Sequence, residues 1–586
     1  MRVNHRCRLG VAWILAATVL QCAGFDGHVE TLPPEVEAAL ALRAKETPAE
    51  LEKANADETE ITVGTITILN QTVLPASDFF APLLNNLHHV TEKDVIYHEL
   101  DFKEGDKIPR YRLYDAERYV RLLDPIKQAT IVTKKNAETG KTDVIVVTQD
   151  RYSPQFSTGA SGSGGYSSFG VNVFEPSVMG RLYYWGASYG RENFRDYIAL
   201  GVGKTRINGS RWEVGATTTM GFANSQYNLQ SQGITLTHPF TRNGQRHAFQ
   251  LSTSFTNGVN YDYLGGGIRQ GYNTATGKYF DLIYRTKIED ISAQYLYGIG
   301  KNDRIEFGPG IWHYIRRDYY IYSNDQYSLS ETPELPVSAA SKAFYQSQQY
   351  STHALTFTVN TRNGNFAPMR NFRRYLFTED QFEGLRTSSK IVYANPSFGL
   401  SDHYLAPSFG AAYQRNFFDQ KLRLETSVAR QAIFWYNGAP YPTDDLWAFD
   451  LRGFYFTRYG TLALRGYLAK GSHLTKDKRE DIAGQLRRGF SYGSVYPSAG
   501  HLTSIEYRSP SFKLPYFLVA GVLFFDYAGV GEVLNALTYY SIAGFGLRTM
   551  LHEFDNNVFR IDFGFNLNEP EINLLNALQF GVSHTF

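Results

Sequence analysis

The carboxyl-terminal end of the chain is the feature that most narrows its fold. The last ten residues read ALQFGVSHTF. Side chains of a strand alternate between its two faces, so one face here carries Leu578, Phe580, Val582, His584 and Phe586. Chain ends normally fray unless they are tied down. The closing strand of a membrane barrel is tied down and presents an apolar face to lipid, and this segment predicts such a strand.

The same segment resembles the terminal signal of bacterial outer-membrane barrels. The resemblance rests on Gln579, on Gly581 and on ring side chains at the last two outward positions, His584 and Phe586. His584 occupies a position where these signals usually have an aromatic residue. The resemblance implies that the chain resides in the bacterial outer membrane.

The composition favours a barrel over a bundle of membrane helices. Apolar residues make up 43% of the chain, yet its mean hydropathy is negative. After the amino terminus, no apolar run approaches the roughly 20 residues that a membrane helix needs. The 41 tyrosines, 40 phenylalanines and 51 glycines suit aromatic girdles and turns. A net charge of +1 gives no indication of a nucleic-acid partner.

The amino terminus has the layout of a secretory signal peptide. Three arginines precede an apolar stretch from Leu9 to Leu20, and small residues follow near Ala23, so residues 1–23 are predicted to be a leader. Both cysteines, Cys7 and Cys22, lie within it. We therefore expect no disulfide and no thiolate metal site in the mature chain. Residues 24–60 are charged and rich in Ala, Glu and Lys, which indicates a linker or loose helix that acts as a spacer.

Residues 61–152 predict a small α+β module. The pattern gives the order β-α-α-β-β, with strands at 61–69, 129–134 and 142–148 and helices after Thr91 and at 111–123. The segments VIYHELDFKEGDKI, LYDAERYVRLLDPI and TDVIVVTQD resemble a POTRA domain. The resemblance implies a periplasmic module whose exposed edge strand pairs with a client strand. The alternative is a rigid plug or docking base.

Residues 153–586 read as strands of about ten residues separated by turn signals. Three Asn-Gly pairs, beginning at Asn208, Asn243 and Asn363, predict two-residue hairpin turns. Between residues 556 and 566, apolar side chains alternate with charged ones, as a polar lumen with lipid outside requires. The fold class predicted is an all-β transmembrane barrel of about 16 antiparallel strands, an even number as in bacterial barrels. The long segments 316–350 and 471–502 are assigned to the extracellular side.

The stretch from Ala483 to the end resembles the BamA/TamA-type assembly and secretion superfamily, also called bacterial surface antigens. The resemblance rests on AGQLRRGFSYG, IEYRSP, FFDYAG, GFGLR and FRIDFGF. It implies a loop that folds into the lumen with Arg488, Gly489 and Phe490 at its tip. It further implies that Glu506 and Asp526 hold the arginine, because carboxylates pair with the planar guanidinium. Two further Arg-Gly-aromatic sequences, at Arg452 and Arg465, lie inside alternating strands and are not assigned this role.

The expected function is insertion of outer-membrane proteins, or translocation of a protein, through a lateral seam between a first strand near residues 151–159 and the terminal strand. The alternatives are an exporter of one dedicated protein and a surface antigen or porin-like barrel without insertase activity. The expected partners are outer-membrane lipids, client proteins and periplasmic accessory proteins. No cofactor, metal or catalytic site is predicted. The G-x-S-x-G sequence at 489–493 lacks the strand and helix that a nucleophile elbow needs.

Overall fold

A computed structural model describes most of the chain from residue 32 to residue 582. The described residues are 32–43, 46, 50, 57–71, 73, 88–152, 155–163, 166–192, 195–223, 226–261, 263–264, 267–268, 270–273, 278–281, 283–324, 328–332, 350–370, 372, 378–436, 441–486, 488, 495–514, 517–550, 558–568 and 578–582. The predicted leader, residues 1–23, lies outside them.

Four strands and two helices form a module ahead of the large sheet. In chain order its elements are β1 Glu60–Gln71, α2 Lys93–Glu99, β2 Lys107–Pro109, α3 Tyr111–Arg121, β3 Ile126–Lys135 and β4 Thr142–Asp150, and helix α1 Pro34–Arg43 precedes them. The sheet order is β2-β1-β4-β3, with β1 parallel to β4 and the other pairs antiparallel. This is the expected element order with one short strand added. None of the described helices is long and apolar enough to cross a bilayer.

The apolar faces of the module's helices cover its sheet. Val63 and Val144 from the strands and Ile96 and Val120 from the helices are completely buried in one core. Helix α1 packs on this module through buried Val36. Its last residue, Arg43, donates to Glu117 over 2.6 Å. Within segment 24–60, residues 34–43 thus form a helix that is docked on the module.

The remaining strands build the large sheet and two small hairpins. They are β5 Gln155–Ser163, β6 Tyr166–Val178, β7 Tyr183–Glu192, β8 Arg195–Lys204, β9 Glu213–Ala223, β10 Gln226–His238, β11 His247–Tyr261, β12 Tyr263–Leu264, β13 Gly267–Ile268, β14 Gln270–Asn273, β15 Lys278–Asp281, β16 Ile283–Ile299, β17 Arg304–Asn324, β18 Ser328–Thr332, β19 Tyr350–Arg370, β20 Thr378–Ala394, β21 Tyr404–Phe417, β22 Leu422–Trp435, β23 Thr443–Thr457, β24 Gly460–Ser472, β25 Ala499–Arg508, β26 Phe512–Lys513, β27 Leu518–Gly531, β28 Thr538–Met550, β29 Phe559–Asn566 and β30 Leu578–Val582. Helix α4, Lys476–Gln485, lies between β24 and β25. Strand β12 pairs with β13, and β14 with β15.

The strand order of the large sheet closes on itself. Neighbours along the chain pair antiparallel from β5 through β30, and β30 pairs with β5, so the strands form a ring. Setting aside the short strands β18 and β26, which flank β17 and β27, the described residues contribute 20 strands. The expected number of about 16 is wrong. Two features explain the difference. Strands such as β9 and β10 are rich in Thr, Gln and Gly, so apolar and polar side chains alternate only weakly along them. In addition, part of segment 316–350 is strand rather than loop.

Consecutive turns alternate between the two ends of the ring because every neighbouring pair is antiparallel. The module enters at one end, here called the module end, and the turns after β6, β8 and β10 lie there. The Asn-Gly pairs at Asn208 and Asn243 lie in two of these turns. Each turn spans eight residues, 205–212 and 239–246, so neither is the two-residue hairpin that was predicted. The third pair does not make a turn: Gly364 lies inside strand β19, opposite Gly384 of β20.

The two faces of the ring differ sharply in chemistry. On β25 and β27, Ile505 and Leu523 face outward and are 46% and 61% exposed, whereas their neighbours Glu506 and Asp526 face inward and are buried. Strand β22 repeats the pattern, with Leu424 outside and charged residues inside. On these strands the ring has an apolar outside and a charged interior, the arrangement that was predicted from the alternation between residues 556 and 566.

Candidate functional site

Arg488 lies within the ring, where the sequence motif places it. Its Nη2 donates to Oε2 of Glu506 over 2.7 Å. Its Nη1 is 3.7 Å from Oδ2 of Asp526, and its Nε is 3.8 Å from Oδ2 of Asp562. The arginine side chain is only 10% exposed and the three carboxylates are nearly inaccessible. The structure thus brings together Arg488 and both predicted acids, while Gly489 and Phe490 lie outside the described residues.

Three more arginines of the wall complete the site. Arg508 donates from Nε to Glu506 over 2.5 Å, and Arg548 from Nη1 to Asp562 over 2.6 Å. Nε of Arg560 is 3.7 Å from Asp562. We call the seven residues the Arg488 cluster: Arg488, Glu506, Arg508, Asp526, Arg548, Arg560 and Asp562. Buried charges in this arrangement depend on one another, because removal of one partner leaves another buried and unpaired.

Strand register explains why these side chains meet. Ser504 of β25 lies opposite Asp526 of β27, and its hydroxyl donates to that carboxylate over 2.5 Å. Glu506, two positions along, therefore has the same inward orientation. Phe524 also points inward, with its ring 4.3 Å from Cζ of Arg488, at cation–π distance.

Helix α4 anchors the segment that carries Arg488. Ile482 and Leu486 are buried in an apolar cluster with Leu502 and Val530 of the wall. The carboxamide of Gln485 accepts from Arg465 over 2.6 Å. The loop is therefore held by apolar packing on one side and by the charged cluster on the other.

Asp562, Arg508 and Arg548 were not identified from the sequence as members of the site. The sequence does indicate Asp562 as a candidate, because it is the sole acid on the inward face of β29. The two other Arg-Gly-aromatic sequences lie on strands, as predicted: Arg452 and Arg465 both bind Asp450, over 2.9 and 2.7 Å.

The first and last strands of the ring meet over a single residue pair. Among the described residues, β30 pairs with β5 only at Phe580 and Gly162. By contrast, β5 pairs with β6 over nine positions from Gln155 to Ser163. The predicted first strand, 151–159, is displaced to 155–163. We call this junction the seam.

Two residues of the predicted terminal signal lie beside the Arg488 cluster. Gln579 is buried and lies opposite Asp562, and Gly581 lies opposite Arg560. The two other residues of that signal, His584 and Phe586, lie outside the described residues. The last strand therefore borders both the seam and the charged cluster.

The module is docked on the turns of the ring through buried charges. The carboxylate of Glu99, at the end of α2, accepts from Arg206 over 2.5 Å and lies 3.5 Å from Arg211. Arg242 donates to the main-chain oxygens of His98 and Glu99, both over 2.8 Å. Three basic residues from two turns thus converge on one end of one helix.

A second group of contacts involves helix α3. The main-chain N–H of Asn243 donates to the hydroxyl of Tyr119 over 2.9 Å. Burial, together with the nearby carboxylate of Asp115, raises the pKa of Tyr119 to about 12, so the phenol stays neutral. Arg121 donates to both carboxylate oxygens of Asp380 on β20, over 3.0 and 2.8 Å. These contacts hold the module to the ring at several points around the module end.

We expect Glu99→Gln to loosen the module from the ring. The neutral amide removes the buried anion that Arg206 and Arg211 share, and breaking a buried pair costs up to about 3–5 kcal/mol. Arg206 keeps its second partner, Glu213, which reduces the loss. The measurement is hydrogen exchange in α2 and α3, which should accelerate. Glu92→Gln is the matched control, because Glu92 is 3.9 Å from an exposed arginine, Arg181, and such a pair contributes little. Equal exchange in both variants would contradict the prediction.

The described residues contain no group of three or more His, Cys, Asp or Glu side chains arranged to hold a metal ion. The G-x-S-x-G sequence at 489–493 lies outside the described residues.

No family model and no curated protein matches the chain. Among solved structures it is similar to BamA from Haemophilus ducreyi lacking POTRA domains 1-3, at 13% identity over 96% of both chains with a TM-score of 0.34. It is also similar to CdiB from Acinetobacter baumannii, at 13% identity over 89% of this chain and 73% of that one, with a TM-score of 0.42. For CdiB from Escherichia coli the identity is 12% over 95% and 99% of the chains, with a TM-score of 0.39. With TM-scores below 0.5, these similarities leave the function to be inferred from the chain's own geometry.

Proposed function

We propose that this chain is an outer-membrane barrel that inserts other barrel proteins into the membrane or moves proteins across it through the seam. The seam carries this proposal. A ring strand normally satisfies its backbone groups on both sides, and among the described residues most of β5 pairs only with β6. Unpaired backbone groups at a strand edge template pairing with another strand. A client strand would add to this edge and pass into the bilayer sideways.

The chemistry of the two faces supports a membrane location. Outward residues such as Ile505, Leu523 and Phe525 would be costly to expose to water but suit lipid. Inward residues include Arg423 and Arg548, which are almost completely inaccessible and ion-paired. The leader and the terminal signal in the sequence favour the outer membrane as the destination.

The module is proposed to be a POTRA-like periplasmic domain that receives clients. Among the described strands β3 pairs only with β4, so its other edge would offer backbone groups to an added strand. Helix α1 lies close to this strand, with Glu35 bound to Lys134 over 2.9 Å. Accessory proteins in the periplasm would dock on the same module.

Export of one dedicated protein is the second candidate, and one observation favours it. A cavity of about 1350 Å3 lies between helices α1 and α3 and the module end of the ring. Its lining combines charged residues such as Arg43, Glu117 and Arg415 with apolar ones such as Phe366 and Leu385. Such a cavity would admit an extended chain that carries both polar and apolar side chains.

Depletion of the chain followed by quantitative proteomics of the outer membrane separates these functions. Broad loss of barrel proteins would support insertion, and loss of one secreted protein would support export. Complementation with the wild-type chain controls for indirect effects. An unchanged outer membrane together with unchanged secreted proteins in the culture medium would refute both and leave a barrel without insertase activity.

A further inference from the structure

One hairpin leaves the wall of the ring at the module end. Strand β19 is paired with β17 only as far as Arg362, and β20 is paired with β21 only from Gly384 onward. Between these points, residues 364–370 pair with residues 378–384 and with no other described strand. We call these two segments, with Phe372, the inner hairpin.

A pair of glycines sets the bend where the inner hairpin leaves the wall. Gly364 and Gly384 lie directly opposite each other, with φ of 145° and 138°. Residues with a side chain rarely adopt these values. A Cβ atom would also approach the main-chain oxygens of Glu383 and Asn363 to 2.0 and 2.1 Å. The bend therefore requires glycine on both strands.

Beyond the bend, the inner hairpin packs against the inside of the ring. Phe372 is 2% exposed, and its ring is 5.2 Å from that of Phe454, which faces inward from β23. Met369 is buried in the same cluster. Arg423, which is completely buried, donates to the main-chain oxygen of Phe382 over 3.4 Å. The described residues of the hairpin thus pack against the interior of the ring.

The same hairpin is tied to the module. Arg121 of α3 holds Asp380 through two hydrogen bonds. Cζ of Arg118 lies 4.3 Å from the ring of Phe366. The inner hairpin therefore has one side on the wall of the ring and the other on helix α3.

We propose that the inner hairpin closes the module end of the lumen and that helix α3 holds it in the closed position. This inference rests on the proposed barrel function and adds its regulation. A client that displaces α3 removes the partner of Asp380, and the hairpin then swings on its glycine bend away from Phe454. The lumen opens to the periplasm only when the module is engaged.

Conductance of the full mature chain in planar bilayers tests the closure. The Arg488 loop also occupies the lumen, so the test uses Arg488→Ala as the background. Joining Asn363 to Leu385 through an Asn-Gly turn removes the inner hairpin, since these two residues face each other. We expect a severalfold rise in conductance over the background, and a smaller rise with Phe372→Ala. Phe449→Ala, on the outward face of β23, is the control and should change nothing. Equal conductance with and without the hairpin would overturn the closure.

Failure of the barrel function itself gives a different result. If no variant inserts into bilayers or shows the heat-dependent gel mobility of a folded barrel, the proposed membrane function is wrong. If all variants insert and conduct equally, the barrel stands and the closure is wrong.

A cross-linking experiment tests the hold of α3 on the hairpin. Phe372→Cys and Phe454→Cys can be joined by a short bismaleimide, because both native cysteines lie in the predicted leader. Arg121→Asp should lower the yield severalfold by repelling Asp380. Adding Asp380→Arg restores an ion pair of reversed polarity and should recover the yield. An unchanged yield in Arg121→Asp would overturn the coupling to α3.

Discussion

Replacing Arg488 by alanine should abolish most of the activity while the barrel stays folded. Asp526 would keep its hydrogen bond from the Ser504 hydroxyl but lose the nearby guanidinium of Arg488. Leaving a buried carboxylate without its ion-pair partner costs roughly 3–5 kcal/mol of stability. The loop can relieve this cost by leaving the lumen, whereas the backbone pairs of 20 strands are untouched. Outer-membrane protein levels report the activity, and heat-dependent gel mobility reports the fold.

Arg452→Ala is the matched control for this experiment. Arg452 has the same Arg-Gly-Phe context, but it lies on strand β23, is 30% exposed and binds Asp450. We expect near wild-type activity. Adding Asp526→Asn to Arg488→Ala should partly return the loop to the lumen, because the second substitution removes the unpaired buried charge. Wild-type activity in Arg488→Ala would refute the role of the loop.

Locking the seam with a disulfide should stop the activity as completely as depletion does. Gly162→Cys and Phe580→Cys place two thiols on the residue pair at which the described parts of β5 and β30 meet. Under oxidising conditions the bond would prevent the strands from separating, and a reductant should reverse the effect. Growth and outer-membrane composition with and without reductant give the measurement.

A second disulfide distinguishes seam opening from general rigidity. Ala411→Cys with Val428→Cys joins β21 to β22, which are already paired from Tyr404–Trp435 to Phe417–Leu422. This lock should leave activity unchanged. Normal growth with the seam disulfide fully formed would falsify the lateral mechanism.

The prediction of Arg488, Glu506 and Asp526 as one site came from the resemblance of the stretch after Ala483 to a known superfamily. Alternation along a strand indicates only on which face each acid lies. In the structure both acids lie within 4 Å of Arg488. Strand β29 alone indicates that Asp562 faces inward, but its place in the Arg488 cluster depends on the register of β28 and β29 and on two further arginines.

The third Asn-Gly pair shows where a local signal is ambiguous. A glycine with positive φ suits a tight turn, but it equally suits a bend within a strand. At Gly364 the choice depends on Gly384, 20 positions away, and on space inside the ring. The sequence near residue 364 carries neither piece of information.

The docking of the module could not be predicted for a similar reason. Glu99 and Arg206 are more than a hundred positions apart, and each alone resembles an ordinary surface charge. Their pairing depends on where the ring's turns lie relative to α2. Long-range charge partners follow from the assembled fold rather than from any local pattern.

The seam also has a consequence for the order in which the chain folds. Gly162 and Phe580 are 418 positions apart (580 − 162), whereas most other ring contacts join consecutive strands. Closing so long a loop carries a large entropic cost, and contacts of high sequence separation form slowly. The ring therefore cannot be completed until the last residues of the chain have arrived. Throughout its own biogenesis the protein has a free edge at β5, the state that it would later recreate for each client.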